Sequence, residues 1–310
     1  MANLRQPQLV DLFEYRHLRR PDVLSLIVNI SSTSSVKIGS LSSGEITWYF
    51  YGKRDPKRFE VEDMGQIVVK MGTGEYMELV FAKTSTNTYC CDSYSTKHII
   101  QFVEYICSLY NTSVNNLLIH PSKLHHLSTI QSVGVLRESR DVDILEGTVS
   151  HEEMRRILTG FDFWNGGLLE ICCHPEPNFT FDGAISIPEF RLSTGTWFKG
   201  PMLLNIANCY LFKCQENCGI TEEHLNMFLR KWLDTGCDAI RHLLIEDTKS
   251  SEYAPEPRPR TWDMKRIVQG LASFEQEQWR TAESRRFCRE NGTDAKEVCL
   301  SPGSCLIRPP

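Results

Sequence analysis

Six side chains in the second half of the chain are of the types that bind zinc. They form two clusters, Cys172, Cys173 and His174 followed by Cys209, Cys214 and Cys218, and the second cluster spans ten residues. Zinc in proteins prefers tetrahedral sets of thiolate and imidazole ligands. The spacings lack the C-x₂-C pair, repeated further along, that is typical of structural zinc sites. We therefore expect no bound metal and interpret these cysteines as thiols, buried or at the surface.

Motifs of nucleophilic, hydrolytic or phosphate-binding chemistry are missing from the sequence. There is no G-x-S-x-G, which would place a serine on a strand-to-helix turn, and no H-E-x-x-H, which would place two zinc ligands on one helix face. The segment MGTGEYM contains Gly72 and Gly74 but neither a third glycine nor a Lys-Ser/Thr pair. It therefore predicts a hairpin turn between QIVVKM and YMELVF, and we expect no phosphate-binding loop and no cofactor.

Two pairs of titratable neighbours have structural explanations. His125 and His126 stand among leucines in KLHHLSTI, a pattern typical of a helix surface. Glu153, beside Glu152, follows Ser150 by three residues, which is the S-x-x-E capping box that begins a helix, here HEEMRRILTG. Because folding explains each candidate, we expect no catalytic residue.

The segment ITEEHLNMFLRKWL has the clearest helix pattern in the chain. Its apolar side chains recur at the spacing of one helix face, at Leu225, Phe228, Leu229, Trp232 and Leu233. Thr221 is placed to act as the N-cap, and Gly236 is placed to end the helix. We expect Leu225, Phe228, Leu229 and Trp232 to be core, with Glu223, Arg230 and Lys231 pointing to water.

The composition describes a folded protein with an acidic centre. The chain has 310 residues, of which 41% are hydrophobic, enough for about two domains with a buried core. The net charge is −5; residues 1–50 carry +1 and residues 248–310 carry +2, which leaves −8 for residues 51–247. Nucleic-acid binding calls for a clustered basic face, so this distribution argues against it.

Targeting signals are also missing. The chain does not begin with a secretory signal pattern, and no apolar stretch reaches the ~18 residues that a membrane span requires. We therefore expect a cytoplasmic or nuclear protein that does not associate with a membrane. In those compartments the 12 cysteines would stay reduced, so we expect thiols rather than disulfides.

The first fifty residues show two short helix patterns. In PQLVDLFEYRHL, the side chains of Leu9, Leu12 and Phe13 share one side. In RRPDVLSLIVNI, Pro21 suits a first helical position, and an apolar face continues along the segment. After them EITWYFYG, QIVVKM and YMELVFAKT predict strands, because they are rich in β-branched and aromatic residues. STKHIIQFVEYICSLY then predicts a buried helix.

From residue 114 short apolar segments recur, each followed by a helix or a loop. The strand candidates are NNLLIH, DVDILEG, LLEICC, ISIPEF, CYLFK and RHLLIED. The first three centre on Leu118, Ile144 and Glu170, 26 residues apart each time, which is a leucine-rich-repeat period. Over 114–247 we therefore expect an irregular, leucine-rich-repeat-like βα array with a curved, mostly parallel sheet and helices outside it. With the helical N-terminus, the expected fold class is α+β or α/β.

The order of Trp197, MLLNIANCYLF, ITEEHLNMFLRKWL and IRHLLIED resembles the type 2 F-box-associated domain of the large nematode F-box families. In that domain a tryptophan precedes a leucine-rich D-L-L-x-L-x-C-x-x-I-x-L segment, followed by L-N-x-F-L-x-x-W and a leucine strand. The resemblance covers most of the chain and is strongest over 180–247. IVQGL and CRENGTDAKEV near the end are similar to the family's C-terminal segment.

The N-terminus is similar to the matching F-box, whose pattern is L-P-x-L…V…M-x-P-x-D-L. The corresponding positions, which the resemblance makes partner-binding, are Pro7, Leu9, Leu12, Phe13, Pro21, Asp22, Leu24 and Ile27. Gln6 replaces the family's usual leucine before the proline, an extra residue separates the two prolines, and SSTSSVK stands where a more basic S-x-x-S-K-x-x-K run is usual.

The resemblance implies a non-catalytic adaptor of a ubiquitin ligase. It predicts an F-box-like helical module at 1–45, an F-box-associated domain at 46–247, and a Pro-rich linker with a C-terminal helix or tail at 248–310. The F-box would dock onto a Skp-type subunit, and through it a cullin, while the βα array holds an unknown protein substrate. The departures leave an alternative, a stand-alone protein-interaction module with a degenerate, non-binding F-box. A third possibility, an enzyme of unknown type, would require an exposed cleft with clustered titratable groups.

A charge placed in the F-box tests this assignment. A module of about 40 residues is too small to bury all of its apolar side chains, so part of that surface remains for a partner. Leu12→Asp or Leu24→Asp should therefore abolish association with a Skp-type subunit, because burying an unpaired carboxylate is costly. Residues 46–247 should stay folded by circular dichroism. A parent protein that shows no Skp binding at micromolar concentration would contradict the adaptor assignment.

Overall fold

The computed structural model is a mixed α/β protein with few helices and a large sheet that is mostly parallel between residues 116 and 246. It describes residues 23–31, 33–40, 44–51, 63–70, 76–83, 88–92, 95–163, 166–215, 218–235, 239–246, 261–271, 284–288, 295–301 and 304–309. Contacts divide the chain into two compact units: unit 1 comprises 1–145 with 160–162, and unit 2 comprises 146–159 with 163–310.

Unit 1 combines an antiparallel and a parallel part. Its strands are β1 (Val23–Ile30), β2 (Thr33–Ser40), β3 (Gly44–Tyr51), β4 (Asp63–Lys70), β5 (Tyr76–Lys83), β6 (Thr88–Asp92), β7 (Asn116–Ile119) and β8 (Asp141–Ile144), in the order β8-β7-β1-β2-β3-β6-β5-β4. The helices are α1 (Thr96–Tyr110), a 3₁₀ turn (Pro121–His126), α2 (Leu127–Ser132) and α3 (Gly134–Arg137). β1 pairs antiparallel with β2 but parallel with β7, and β7 pairs parallel with β8.

The core of unit 1 forms between the sheet and α1, the helix predicted from STKHIIQFVEYICSLY. Trp48 and Phe50 of β3 lie on one face of the sheet, and their rings stand 5.3 and 5.4 Å from that of Phe102 in α1. Ser95 begins the helix, with its backbone N–H donating to His98 Nδ1 at 3.2 Å. Asn111 ends the helix in the left-handed conformation, as C-terminal caps commonly do.

Three predicted strands of unit 1 are confirmed, and β4 and β5 pair antiparallel as the hairpin prediction requires. The second N-terminal helix prediction is wrong: Val23–Ile30 is strand β1. Leu26, Val28 and Ile30 are fully buried while the residues between them are half-buried, which is the two-residue period of a strand. The β-branched content of VLSLIVNI also favours a strand, and pairing with β2 and β7 decides the outcome. The predicted helical module at 1–45 is therefore not helical over 23–40.

Unit 2 has a central group of parallel strands. Its strands are β9 (Thr148–Val149), β10 (Leu168–Ile171), β11 (His174–Pro175), β12 (Glu189–Leu192), β13 (Cys209–Gln215), β14 (Ile240–Glu246), β15 (Ser284–Cys288), β16 (Ala295–Ser301) and β17 (Ser304–Arg308), and its helices are α4 (His151–Thr159), α5 (Gly200–Leu203), α6 (Glu222–Thr235) and α7 (Met264–Ile267). The main sheet runs β15-β16-β17-β14-β13-β12-β10, and β9 and β11 form a separate parallel pair. β10, β12, β13 and β14 pair in parallel, as predicted for the array.

One face of these parallel strands forms the core of unit 2. Phe190 of β12 and Phe212 of β13 are fully buried, with ring centroids 5.5 Å apart. Phe198, from the segment before α5, packs against both, at 6.2 and 5.1 Å. The aromatic cluster joins the strands to the segments that cover them.

Helix α6 is confirmed with the predicted faces. Leu225, Phe228, Leu229 and Trp232 are buried, and Glu223, Arg230 and Lys231 are exposed. Thr221 caps the helix: its Oγ1 accepts from the His224 N–H at 3.4 Å, and its own N–H donates to His224 Nδ1 at 3.1 Å. Gly236, the predicted end, lies outside the described residues. Of the helices that the structure describes, none is long and apolar enough to cross a membrane.

The sequence predicted a C-terminal helix or tail at 248–310, but over 284–288, 295–301 and 304–308 the structure describes strands. There the chain forms β15, β16 and β17, and β17 pairs antiparallel with β14. The sequence carries a signal for this, since Pro302-Gly303 separates two apolar runs and is typical of a turn. Lys296 of β16 is only 2% exposed; its Nζ donates to the Ile240 carbonyl at 2.8 Å and lies 5.4 Å from the Trp232 ring centre.

Truncation of Trp232 tests the core of unit 2. Trp232→Ala should lower the free energy of unfolding by about 3–5 kcal/mol, because it opens a cavity and removes the ring beneath the Lys296 ammonium. Met227 is the matched control on the same helix, since its side chain is 49% exposed, and Met227→Ala should stay within about 0.5 kcal/mol of the parent. Urea unfolding followed by circular dichroism measures both variants. Equal midpoints for the two would contradict the assigned helix faces.

Candidate protein-binding surface

The predicted partner-binding residues are only partly described. Pro7, Leu9, Leu12, Phe13, Pro21 and Asp22 lie outside the described residues. Leu24 and Ile27 belong to strand β1 rather than to a helix. Ile27 is half-buried and stands between Lys37 of β2 and Asn116 of β7. The apolar pair that was predicted to present one helix face is therefore part of the unit 1 sheet.

The cysteine clusters do not come together as a ligand set. Within the described ranges, no group of three or more His, Cys, Asp or Glu side chains is placed to hold a metal ion. Burial raises the pKa of Cys173 and of Cys209 to about 12. Since the thiolate is the form that binds metals and attacks electrophiles, these two thiols are inert at neutral pH.

The titratable pairs noted in the sequence have local roles. Ser150 and Glu153 form the predicted capping box of α4, with the Ser150 N–H donating to Glu153 Oε2 at 2.8 Å and the Glu153 N–H donating to Ser150 Oγ at 3.2 Å. The rings of His125 and His126 lie 3.9 Å apart at the end of the 3₁₀ turn. Burial, together with the neighbouring His125 and Lys123, lowers the pKa of His126.

The surface that stands out is the second face of the parallel strands in unit 2, which we call the open face. Side chains alternate along each strand between buried and half-exposed, and no described residue covers the half-exposed ones completely. Strand register aligns them in rows across the sheet: Leu168, Glu189, Leu211 and His242; then Glu170, Arg191, Lys213 and Leu244; then Gln215 and Glu246, to which we add Ser193, the residue directly after β12.

The polar side chains of the open face hold one another in place. Arg191 Nη2 lies 3.1 Å from Glu189 Oε2, and Lys213 Nζ lies 2.9 Å from Glu246 Oε2. Gln215 Nε2 donates to the same Glu246 oxygen at 3.1 Å. The Lys213 and Gln215 contacts join β13 to β14, whereas Arg191 and Glu189 pair within β12. The polar side chains of the rows are therefore held by their neighbours and form a preorganised surface rather than a set of independent groups.

The neighbours of Glu246 on the open face favour the ionised form of its carboxyl group. Burial opposes ionisation of this carboxyl group, but hydrogen bonds from Lys213 and Gln215 and the charge of Lys213 outweigh it, so the pKa of Glu246 is below its ordinary value. Glu246 therefore stays ionised at neutral pH, paired with Lys213.

An exposed aromatic cluster marks the end of this face where β13 and β14 begin. Tyr210 is 51% exposed, its ring lies 5.0 Å from that of His242, and the Arg241 guanidinium lies 5.5 Å from its centre. The N–H groups of Tyr210 and Leu211 both donate to the Pro188 carbonyl, at 2.7 and 3.1 Å. This local departure from strand alternation, of the kind a β-bulge produces, leaves Tyr210 exposed.

A shallow pocket of about 350 Å³ lies on the open face. Its lining combines leucines with charged and amide side chains: Glu170, Arg191, Leu192, Ser193, Leu211, Lys213, Gln215 and Leu244. Exposed tyrosine and arginine beside leucines and paired charges are typical of protein-binding surfaces, in which aromatic and arginine side chains contribute most of the affinity.

A scan against models of protein families gave no match to this chain, and searches of curated proteins and of solved structures found no similar chain. The chemistry of the open face therefore has to be derived from its own geometry.

Sequence reasoning located the strands but not this surface. Part of the signal was present: in EFRL and in the FKCQ part of CYLFKCQ, apolar side chains alternate with polar ones, which indicates a face that is not fully buried. In LLEI and IRHLLIE, leucines at half-exposed positions interrupt this alternation. What the sequence could not supply was the register that aligns Glu170, Arg191 and Lys213 in one row, because strand pairing sets that alignment.

Replacing Lys213 tests the electrostatics of the face. Lys213→Met should raise the pKa of Glu246, because burial then acts on the carboxylate without its cation. In the parent, a folded pKa below the unfolded value of about 4.3 stabilises the fold above that pH, and this contribution is lost as pH falls through the folded pKa. Acid unfolding should therefore depend less on pH in the variant.

Titration of ¹³C-labelled glutamate by NMR measures this effect, with Glu246→Gln to identify the signal. Lys199→Met is the control, because Lys199 is exposed and lies outside the three rows. An unchanged Glu246 pKa in Lys213→Met would show that the ion pair is absent in solution.

Proposed function

We propose that the chain is a non-catalytic, F-box-type adaptor that holds a protein substrate on the open face of unit 2. In this proposal its N-terminal segment docks onto a Skp-type subunit and through it a cullin, and the chemistry of ubiquitin transfer belongs to partner subunits. The protein would act in the cytoplasm or the nucleus, where its thiols stay reduced.

The observation that carries the binding half of the proposal is the one-sided burial of the parallel strands. The same strands that bury Phe190 and Phe212 present Tyr210, Leu211 and Leu244 on the other side. A leucine-rich-repeat-like array would use its sheet in this way, with the substrate lying across several strands. The rows of paired charges would orient the substrate, and the exposed tyrosine and leucines would contribute most of the binding energy.

The docking half rests on the N-terminal motif. Leu9, Leu12 and Phe13 precede β1, so they remain available as a docking segment in this proposal. Leu24 belongs to strand β1. A loss of Skp binding in Leu24→Asp could therefore come from unfolding of the sheet as well as from loss of a docking contact. Leu12→Asp is the better probe of the two.

The assignment of Val23–Ile30 to a strand favours a second candidate. In the stand-alone module, the degenerate F-box binds no Skp-type subunit, and the open face alone mediates interactions. The observation that favours this stand-alone module is that the second predicted N-terminal helix is strand β1. The F-box pattern was predicted to present its docking surface on a pair of helices.

Binding to a purified Skp-type subunit distinguishes the two candidates. In isothermal titration calorimetry, the parent chain should bind the subunit with a dissociation constant of about 1 μM or tighter. Leu12→Asp should abolish the heat signal while leaving the circular dichroism spectrum unchanged, because Leu12 belongs to the proposed docking segment, before strand β1.

Leu211→Asp is the matched control, since it places the same charge on the open face of unit 2. It should leave Skp binding intact. A parent chain that gives no signal with the Skp-type subunit would leave the stand-alone module as the function, and equal loss in both variants would show that Leu12→Asp acts through unfolding.

A further inference from the structure

The open face carries an excess of one negative charge. On its three rows the structure describes five charged side chains: Glu170, Glu189 and Glu246 are carboxylates, and Arg191 and Lys213 are cations. Two ion pairs use both cations, Arg191 with Glu189 and Lys213 with Glu246. Glu170 is the carboxylate that remains.

Glu170 sits in the pocket without a cation of its own. Among the described residues, its contact is with Ser193, whose hydroxyl donates to Glu170 Oε1 at 2.7 Å. A neutral hydroxyl leaves the negative charge uncompensated and leaves acceptor positions open on both carboxylate oxygens. The neighbouring Arg191 reaches Glu189 rather than Glu170.

The rest of the pocket suits a long aliphatic side chain that ends in a cation. Leu211 of β13 and Leu244 of β14 supply apolar surface, two and three strands away from Glu170 of β10. Lysine and arginine pack their methylene stems on apolar surface while their charged ends reach a polar group. A volume of about 350 Å³ accommodates such a side chain together with the adjoining main chain.

We propose that the pocket at Glu170 receives an arginine or lysine side chain of the protein substrate, with the cation on the Glu170 carboxylate and the adjoining part of the substrate against Leu211 and Leu244. The proposal rests on the proposed function of the open face. It agrees with the charge of −8 over residues 51–247, which favours a basic partner.

Selection from a phage-displayed library of random linear peptides on the full chain tests the proposal. Peptides retained by the parent should be enriched in arginine or lysine at one position relative to the input library. Glu170→Gln preserves the shape of the side chain and removes its charge, so it should lose that enrichment. Circular dichroism and thermal unfolding establish that the variant is folded.

Glu297→Gln is the matched control, because it removes a carboxylate that already has a cation, Arg308, whose Nη2 lies 3.5 Å from Glu297 Oε2. Glu297 belongs to β16, outside the three rows of the open face. This variant should keep the basic preference. A selected peptide should bind the parent about tenfold more tightly than its citrulline or norleucine analogue, and Glu170→Gln should remove that difference.

The outcomes separate the pocket from the face. Two outcomes would overturn the pocket proposal and leave the open face as a binding surface. In the first, the selected peptides bind the parent but not Leu211→Asp, and they show no preference for arginine or lysine. In the second, the preference for arginine or lysine persists in Glu170→Gln. If the selected peptides bind the parent and Leu211→Asp equally, or if the selection enriches no peptide, both the pocket proposal and the proposed binding role of the open face are overturned.

Discussion

One-sided burial of the parallel strands is the constraint on which unit 2 depends. Strand side chains alternate, so covering one face with α6 and the segment before α5 fixes which residues form the core and which remain half-exposed. Phe190, Phe212 and Leu243 fall on the covered side. The residues that follow them in each strand, Arg191, Lys213 and Leu244, must then lie on the open face. A shift of the strand register by one residue would exchange the buried residues with those of the open face.

The C-terminal strands extend the same constraint. β17 adds to β14 with Cys305 and Ile307 buried, and β16 adds to β17 with Val298 buried. Lys296 is a charged residue on the buried side, where a backbone carbonyl and the Trp232 ring surround its ammonium group. This contact ties the C-terminal hairpin to α6, the helix that covers the parallel strands.

Local patterns predicted the middle of the chain well. Five of the six strand candidates after residue 114 appear as β7, β8, β10, β13 and β14, and the helix at 222–235 buries the expected side chains. Of the sixth candidate, ISIPEF, only Glu189 and Phe190 belong to a strand, β12. The segment VLSLIVNI was ambiguous, because Leu24 and Ile27 fit a helix spacing while Leu26, Val28 and Ile30 fit a strand. Pairing with two other strands, which local sequence does not reveal, decided it. The pocket at Glu170 depends on residues 23 positions apart, such as Glu170 and Ser193, and only the register brings them together.

Binding of a protein on the open face requires that this face be accessible to solvent in the full chain, and hydroxyl-radical footprinting with mass spectrometry measures this accessibility directly. Tyr210, Leu211 and Leu244 should be oxidised readily, while Phe212 and Leu243 on the covered side should be protected in the folded protein and oxidised only in urea. Protection of Leu211 and Leu244 equal to that of Phe212 and Leu243 would show that another part of the chain covers this face, and would contradict its role as a protein-binding surface.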